Sequence, residues 1–216
     1  MVKKLSQRQK KKEFLLKAIL PHVGFDGWTE TALKAAVKDA GLEETTIERY
    51  FTGGVREIVQ YFSDWADREM LSSLSAVELE DVKIRERIAL AVKLRFEVLS
   101  NYKEAVRRTI TYLSVPSNIP IGVNGAYKTV DSIWYGIGDR SADFSFYTKR
   151  ALLYGVISAT MLFWLNDESK DNTDTWAFLD RRISDVMKIN SLRSRLDRLS
   201  VCLPDPFKIL RALRER

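Results

Sequence analysis

Two residue types that carry most side-chain chemistry are nearly missing: one cysteine, Cys202, and one histidine, His22, stand in 216 residues. A lone cysteine cannot close an intrachain disulfide, which fits a reducing compartment. A lone histidine removes the ligand sets on which most transition-metal sites depend. Any catalysis would fall to carboxylates, lysine or tyrosine, and no pair of these has the spacing of an acid–base dyad or of a Glu-x-x-His di-iron motif. A glycine-rich phosphate loop, an internal repeat and a low-complexity linker are also absent. The longest uncharged apolar run, 151–165, falls short of the roughly 20 residues a membrane span needs. No catalytic residue, metal ligand or cofactor is expected. His22 reads as a structural hydrogen-bonding residue and Cys202 as inert.

Acids are missing from the N-terminus. Residues 1–12 hold Lys3, Lys4, Arg8, Lys10, Lys11 and Lys12 with no acid, equal to the whole net charge of +6. Residues 188–216 are also basic, so the body between is acidic. Basic ends on an acidic body suit contact with an anionic surface. The basic start leads into an amphipathic helix and not an apolar h-region, so no secretory signal is read, and it is too short for a transit peptide.

Apolar spacing predicts helices almost throughout and no strand alternation. A first helix from Glu13 is expected to stop near Pro21 and Gly24; Thr29 heads a second, which ends at Gly41; a third covers 44–51 and ends at Gly53-Gly54. Longer helices are expected at 55–75, 82–100 (with Ile84 inward), 103–114, 123–136, 141–166 and 175–189, with a loop from Pro116 to Gly122. The fold class is all-α, arranged as a basic tail (1–12), a helix-turn-helix-like subdomain (13–60), a helical bundle (61–188) and a basic amphipathic C-terminal segment (189–216).

Three short helices before a longer one match a helix-turn-helix head. The run from Ala35 to Phe51, an alanine-rich helix, a glycine turn and a short helix ending in Tyr50-Phe51, resembles the TetR family motif. Charge argues against DNA reading. Residues 13–56 contain seven acids and five bases, and Glu43, Glu44 and Glu48 surround the candidate recognition helix, where they would repel phosphates. A head kept as a structural subdomain is favoured over a DNA reader. The N-terminal lysines are the feature in DNA's favour, and a TetR-type regulator with an apolar effector is the rival reading.

The segment from Asp131 to Arg150 sets acids, aromatics and an arginine beside the apolar run. On a helix starting near Ser141, Asp143, Phe146, Tyr147 and Arg150 share one face. That face reads either as an interaction hot spot or as core aromatics with a local ion pair. Asp139 is expected to cap the helix after Gly138. With Pro21 to Thr29 near the start and Leu165 to Leu179 beyond, the chain over about 13–190 resembles the Coq-nine (COQ9) family, lipid-binding accessory proteins of ubiquinone biosynthesis with a TetR-like fold.

The resemblance implies a homodimer without enzymatic activity that holds an isoprenoid quinone precursor and presents it to the pathway's di-iron hydroxylase. By position, the family's partner patch falls on Asp131, Ile133, Asp143, Phe146, Tyr147 and Arg150. Phe146 departs from the tryptophan usual there. The setting implied is cytoplasmic and peripheral on a bacterial inner membrane, or the matrix side in a eukaryote.

The run 151–165 is apolar on all sides, as in a helix buried within a bundle. Gly155, Ser158 and Ala159 would leave room beside Tyr154 and Met161 for a prenyl tail, with Phe96, Leu99, Ile110, Leu113 and Trp134 as the opposite wall. Periodicity fits a filled core as well as a lipid pocket. Toward the C-terminus Leu192, Leu196, Leu199 and Leu203 recur at helical spacing with Arg193 on the other side. That pattern suits both a helix lying on an anionic membrane and one packed on the domain.

Overall fold

The computed structural model describes residues 5–139 and 145–200, with the side chains at 145, 146 and 189–200 outside the description. Among the described residues it is all-α, built from α1 (Gln7–Asp26), α2 (Glu30–Asp39), α3 (Thr45–Tyr50), α4 (Gly54–Leu74), α5 (Ile84–Leu99), α6 (Lys103–Ser114), α7 (Ile119–Gly136), α8 (Ser145–Leu165) and α9 (Thr173–Ser200). The first three form the head. α4 carries the chain into the body and packs on α5 and α7, while α8 lies against α7 and α9 and α1 reaches α6.

The head follows its sequence signals closely at α2. Thr29 accepts a hydrogen bond from the Ala32 N–H, and Gly41 at φ +63° ends the helix, with the Leu42 N–H returning to the Val37 carbonyl. Glycine adopts this left-handed turn without steric penalty.

α1 departs from expectation at both ends. Ser6 and Gln9 form a reciprocal capping box, so the helix begins inside the basic run. It also passes through Pro21. A mid-helix proline costs about 3 kcal/mol, but Leu15, Leu16, Ile19, Leu20 and Val23 are all buried along this helix. Each buried apolar side chain contributes about 1.5–3 kcal/mol, so packing carries the helix past the proline. Lys12 is committed internally: its Nζ lies 2.6 Å from Glu57 Oε1. Burial would push the Glu57 carboxyl up, but Lys12 and the Gly53 N–H hold it below its ordinary value.

The motif around Gly24 to Trp28 joins head to body. Arg108 of α6 donates to the carbonyls of Gly24 and Phe25, and Trp28 Nε1–H donates to Thr109 Oγ1 at 2.9 Å.

Three further expectations are corrected. Ile84 is 58% exposed, because it opens α5 and its side chain precedes the buried face of Ile88, Ala91 and Val92. Instead of a loop to Gly122, Pro116–Asn118 form one 3₁₀ turn and α7 starts at Ile119, where Pro120 occupies a first-turn position that needs no N–H donor. α9 runs on to Ser200 without a break at 189. Near its start Asp167 accepts hydrogen bonds from the side chains of Ser169 and Thr175 and from their backbone N–H groups. Burial would raise that carboxyl, but these bonds hold it well below the carboxylate range.

Candidate functional site

A cavity of about 390 Å³ lies between α4, α5, α6, α7 and α8. Its apolar wall includes Val59, Phe62, Leu99, Val106, Ile110, Leu113, Ile121, Ile157 and Met161. The exposed lining residues are Ser114 on α6, Ile119, Val123, Asn124 and Lys128 on α7, and Tyr154 on α8, so the mouth opens among these three helices.

The space exists because α7 is thin on that side. Gly122, Gly125, Ala126 and Thr129 line the cavity at i, i+3, i+4 and i+7, one helical face. A Cβ at Gly122 would meet Leu113 at 3.4 Å and one at Gly125 would meet Ser63 Oγ at 3.9 Å. Of the small residues expected on α8, only Ser158 lines the cavity, and Gly155 has no atom within 4 Å of an added Cβ.

Leu99, Ile110, Leu113, Tyr154 and Met161 all fall in the lining. Phe96 and Trp134 do not. Phe96 is fully buried against Trp164, with ring centroids 5.2 Å apart. Trp134 is 7% exposed and has Lys149 Nζ 5.5 Å from its ring centroid. Both fill core beside the cavity.

At one side the wall turns polar. Arg95 and Asp67 are 6% and 5% exposed, with Arg95 Nε–H donating to Asp67 Oδ1 at 2.7 Å. The Thr129 hydroxyl donates to Asp67 and accepts from Arg95 Nη2, which also donates to Ser63 Oγ at 3.3 Å. Sequence reasoning missed this cluster although a signal existed. Arg95 lies on the helical face of Ile88, Ala91, Val92 and Leu99, and Asp67 on that of Ser63, Met70 and Leu74, where charge is out of place.

The COQ9 family model matches residues 119–190, which covers α7, α8 and most of α9. The ubiquinone biosynthesis protein COQ9 of Rattus norvegicus is 32% identical over 181 residues, spanning 81% of this chain and 58% of that protein. The Homo sapiens protein is 30% identical, with 81% and 57% covered. The probable coq9 of Dictyostelium discoideum is 29% identical, with 85% and 62% covered. This chain belongs to the COQ9 family.

It spans about three fifths of the length of these COQ9 relatives. In fold it is also similar to a TetR transcriptional regulator from Nitrosomonas europaea, at a TM-score of 0.68 and 18% identity over 82% of this chain and 97% of that one. The helix-turn-helix of this COQ9 family member keeps Glu43, Glu44 and Glu48 exposed around α3.

The partner patch carried over from the COQ9 family divides sharply. Ile133 is fully buried and cannot touch a partner; it lies on the α7 face turned into the core. Arg150 is 8% exposed and donates to Asp131 Oδ1 from Nε at 2.9 Å and from Nη2 at 2.6 Å. This ion pair ties α8 to α7, so Arg150 acts as a fastening and not as an open contact. Tyr147 is 71% exposed, with Tyr135 of α7 at 78%. Asp143 lies outside the described residues, as does the Phe146 side chain.

α8 is not buried on all sides. Tyr154, Leu162 and Phe163 are 47%, 58% and 37% exposed, because α8 packs on α7 and α9 and leaves its remaining side uncovered. Leu192, Arg193, Leu196 and Leu199 fall on α9, their side chains outside the description, and Leu203 lies outside the described residues. Among the described residues no helix is long and apolar enough to cross a membrane, and no cluster of His, Cys, Asp and Glu could hold a metal ion.

Proposed function

We propose that this chain is a non-enzymatic accessory protein of ubiquinone biosynthesis. It binds an isoprenoid quinone precursor in the cavity between α4 and α8 and presents it to the pathway's di-iron hydroxylase. The observation that carries the reading is the apolar cavity itself. Its size falls in the range of about 300–1,000 Å³ used for small-molecule ligands, it is walled by five helices, and it occurs in a chain of a family whose members are named for ubiquinone biosynthesis.

The partner surface in this reading is the exposed tyrosine face around Tyr147, with Asp131, Asp143 and Phe146 and with Arg150 holding α8 in place. A homodimer would cover the open α8 face, where the exposed Ala151, Gly155 and Leu162 share one side of the helix. Exposed apolar patches of this kind mark association surfaces. The basic end of α9 and the segment after it would rest on an anionic membrane. In this reading the protein sits peripherally on a bacterial inner membrane, or on the matrix side in a eukaryote.

The rival, a TetR-type regulator, has its fold likeness in its favour. Its difficulty is the acidic edge of α3, which disfavours phosphate contact.

The deciding experiment is organic extraction and mass spectrometry of protein purified without detergent. An isoprenoid quinone or precursor co-purifying near one per chain is expected. Folded protein carrying no lipid would overturn the carrier reading and bring the regulator forward.

A further inference from the structure

The cavity combines an apolar wall with one polar cluster, and the electrical state of that cluster restricts what can bind beside it. Arg95 lines the cavity with its guanidinium almost wholly buried. Nε and Nη2 are used by Asp67, Ser63 and Thr129, and Nη1 has no hydrogen-bond partner among the described residues. A guanidinium carries five N–H donors, and buried donors are ordinarily satisfied. The Nη1 pair is therefore the part of the cluster left for a ligand.

Charge decides which kind of ligand. Asp67 already neutralises Arg95, and at the mouth Lys128 Nζ stands 3.5 Å from Asp64 Oδ1. The charged groups of the lining thus cancel in two pairs. An incoming carboxylate or phosphate would lose its hydration and meet Asp67 beside the cation, with no uncompensated positive charge to offset the loss. A neutral oxygen acceptor faces no such penalty and still receives a charge-assisted hydrogen bond. A clamp joining α4, α5 and α7 would need no charge at all, since apolar residues of similar volume hold helices together as well.

We infer that Arg95, held in position by Asp67 and Thr129, is the headgroup-recognition residue of the cavity. It selects lipids that end in a neutral oxygen-bearing ring, a phenol, aryl ether or quinone, over hydrocarbons and over fatty-acid or phosphate anions. The inference rests on the carrier reading above and specifies which end of the ligand enters first: the ring lies at Arg95, and the prenyl tail runs along Ile110 and Leu113 toward the mouth.

The test measures affinities of the full chain for farnesyl-substituted methoxyphenol, for farnesylbenzene, which lacks only the oxygens, and for oleate. Wild-type protein should favour the methoxyphenol over farnesylbenzene by about tenfold, the worth of one charge-assisted hydrogen bond, and over oleate by more. Arg95→Lys keeps a cation beside Asp67 but loses the forked donors. The double variant Asp67→Leu, Arg95→Met removes the pair without leaving a lone charge. Both should bind farnesylbenzene as wild type does and lose the tenfold preference.

Equal wild-type affinity for the methoxyphenol and farnesylbenzene would overturn the inference and leave the carrier reading intact. Preference for oleate, or an undiminished preference in both variants, would also overturn it. Folded wild-type protein that binds none of the three would remove the carrier reading and this inference together.

Discussion

In the head, Leu15, Leu16, Ile19, Leu20, Leu33 and Ala36 close on one another with at most 1% of any side chain exposed. In the body, helices of the same period surround an open space of about 390 Å³. The difference comes from a few residues. Gly122, Gly125 and Ala126 put almost no side chain into the space that α7 shares with α4 and α6, and Arg95 and Asp67 place a polar pair where α1 and α2 would have leucine. The head is packed for stability. The body leaves a space between its helices.

That contrast can be broken most forcefully at the charge pair. Asp67→Leu alone would leave the Arg95 guanidinium buried and unpaired, and should lower unfolding free energy by about 3–5 kcal/mol. The double change with Arg95→Met should recover all but about 1 kcal/mol, since replacing a buried pair with apolar groups is often neutral. Urea unfolding of the two proteins checks this. If the single change proved as mild as the double, the pair would be solvated in the native state and the body's polar cluster would not be buried in any energetic sense.

A smaller effect sharpens the comparison directly. Leu16→Ala in the head opens a new void in filled core and should cost about 3–4 kcal/mol. Ile110→Ala in the body removes side chain from a wall that already borders empty space. The added cavity term is small there, and the loss should be about 1–2 kcal/mol. Equal losses in thermal unfolding would mean that the body is packed as tightly as the head.

The head was the more legible of the two regions because its signals are local. Thr29 as a cap and Gly41 as a stop are set by backbone geometry within a few residues. Pro21 misled because a proline rule describes an isolated helix, while five buried residues hold α1 through it. The body depends on tertiary placement. Period alone put Leu99, Ile110, Leu113, Tyr154 and Met161 on inward faces, but it could not separate them from Phe96 and Trp134, which fill core one layer away.

Ile133 shows the same limit at the patch. Position within a motif says nothing about which side of α7 faces solvent, and the neighbours Val130 and Trp134 already marked that side as inward. Arg95 and Asp67 could have been found, since each interrupts an apolar helical face. Charged residues in amphipathic helices are ordinarily solvated, so such interruptions are easily passed over.

The smallest effect is the most pointed. Gly125 sits mid-helix in α7, where alanine is favoured over glycine by about 0.5–1 kcal/mol, and an added Cβ would meet Ser63 Oγ at an ordinary 3.9 Å. Gly125→Ala should therefore raise unfolding free energy by about 0.5–1 kcal/mol, measured by urea titration of ligand-free protein. If Gly125→Ala destabilised instead, the α7 wall would already be in tight contact with α4. The cavity would then be shallower than its lining implies, and the glycine would serve close helix packing and not space.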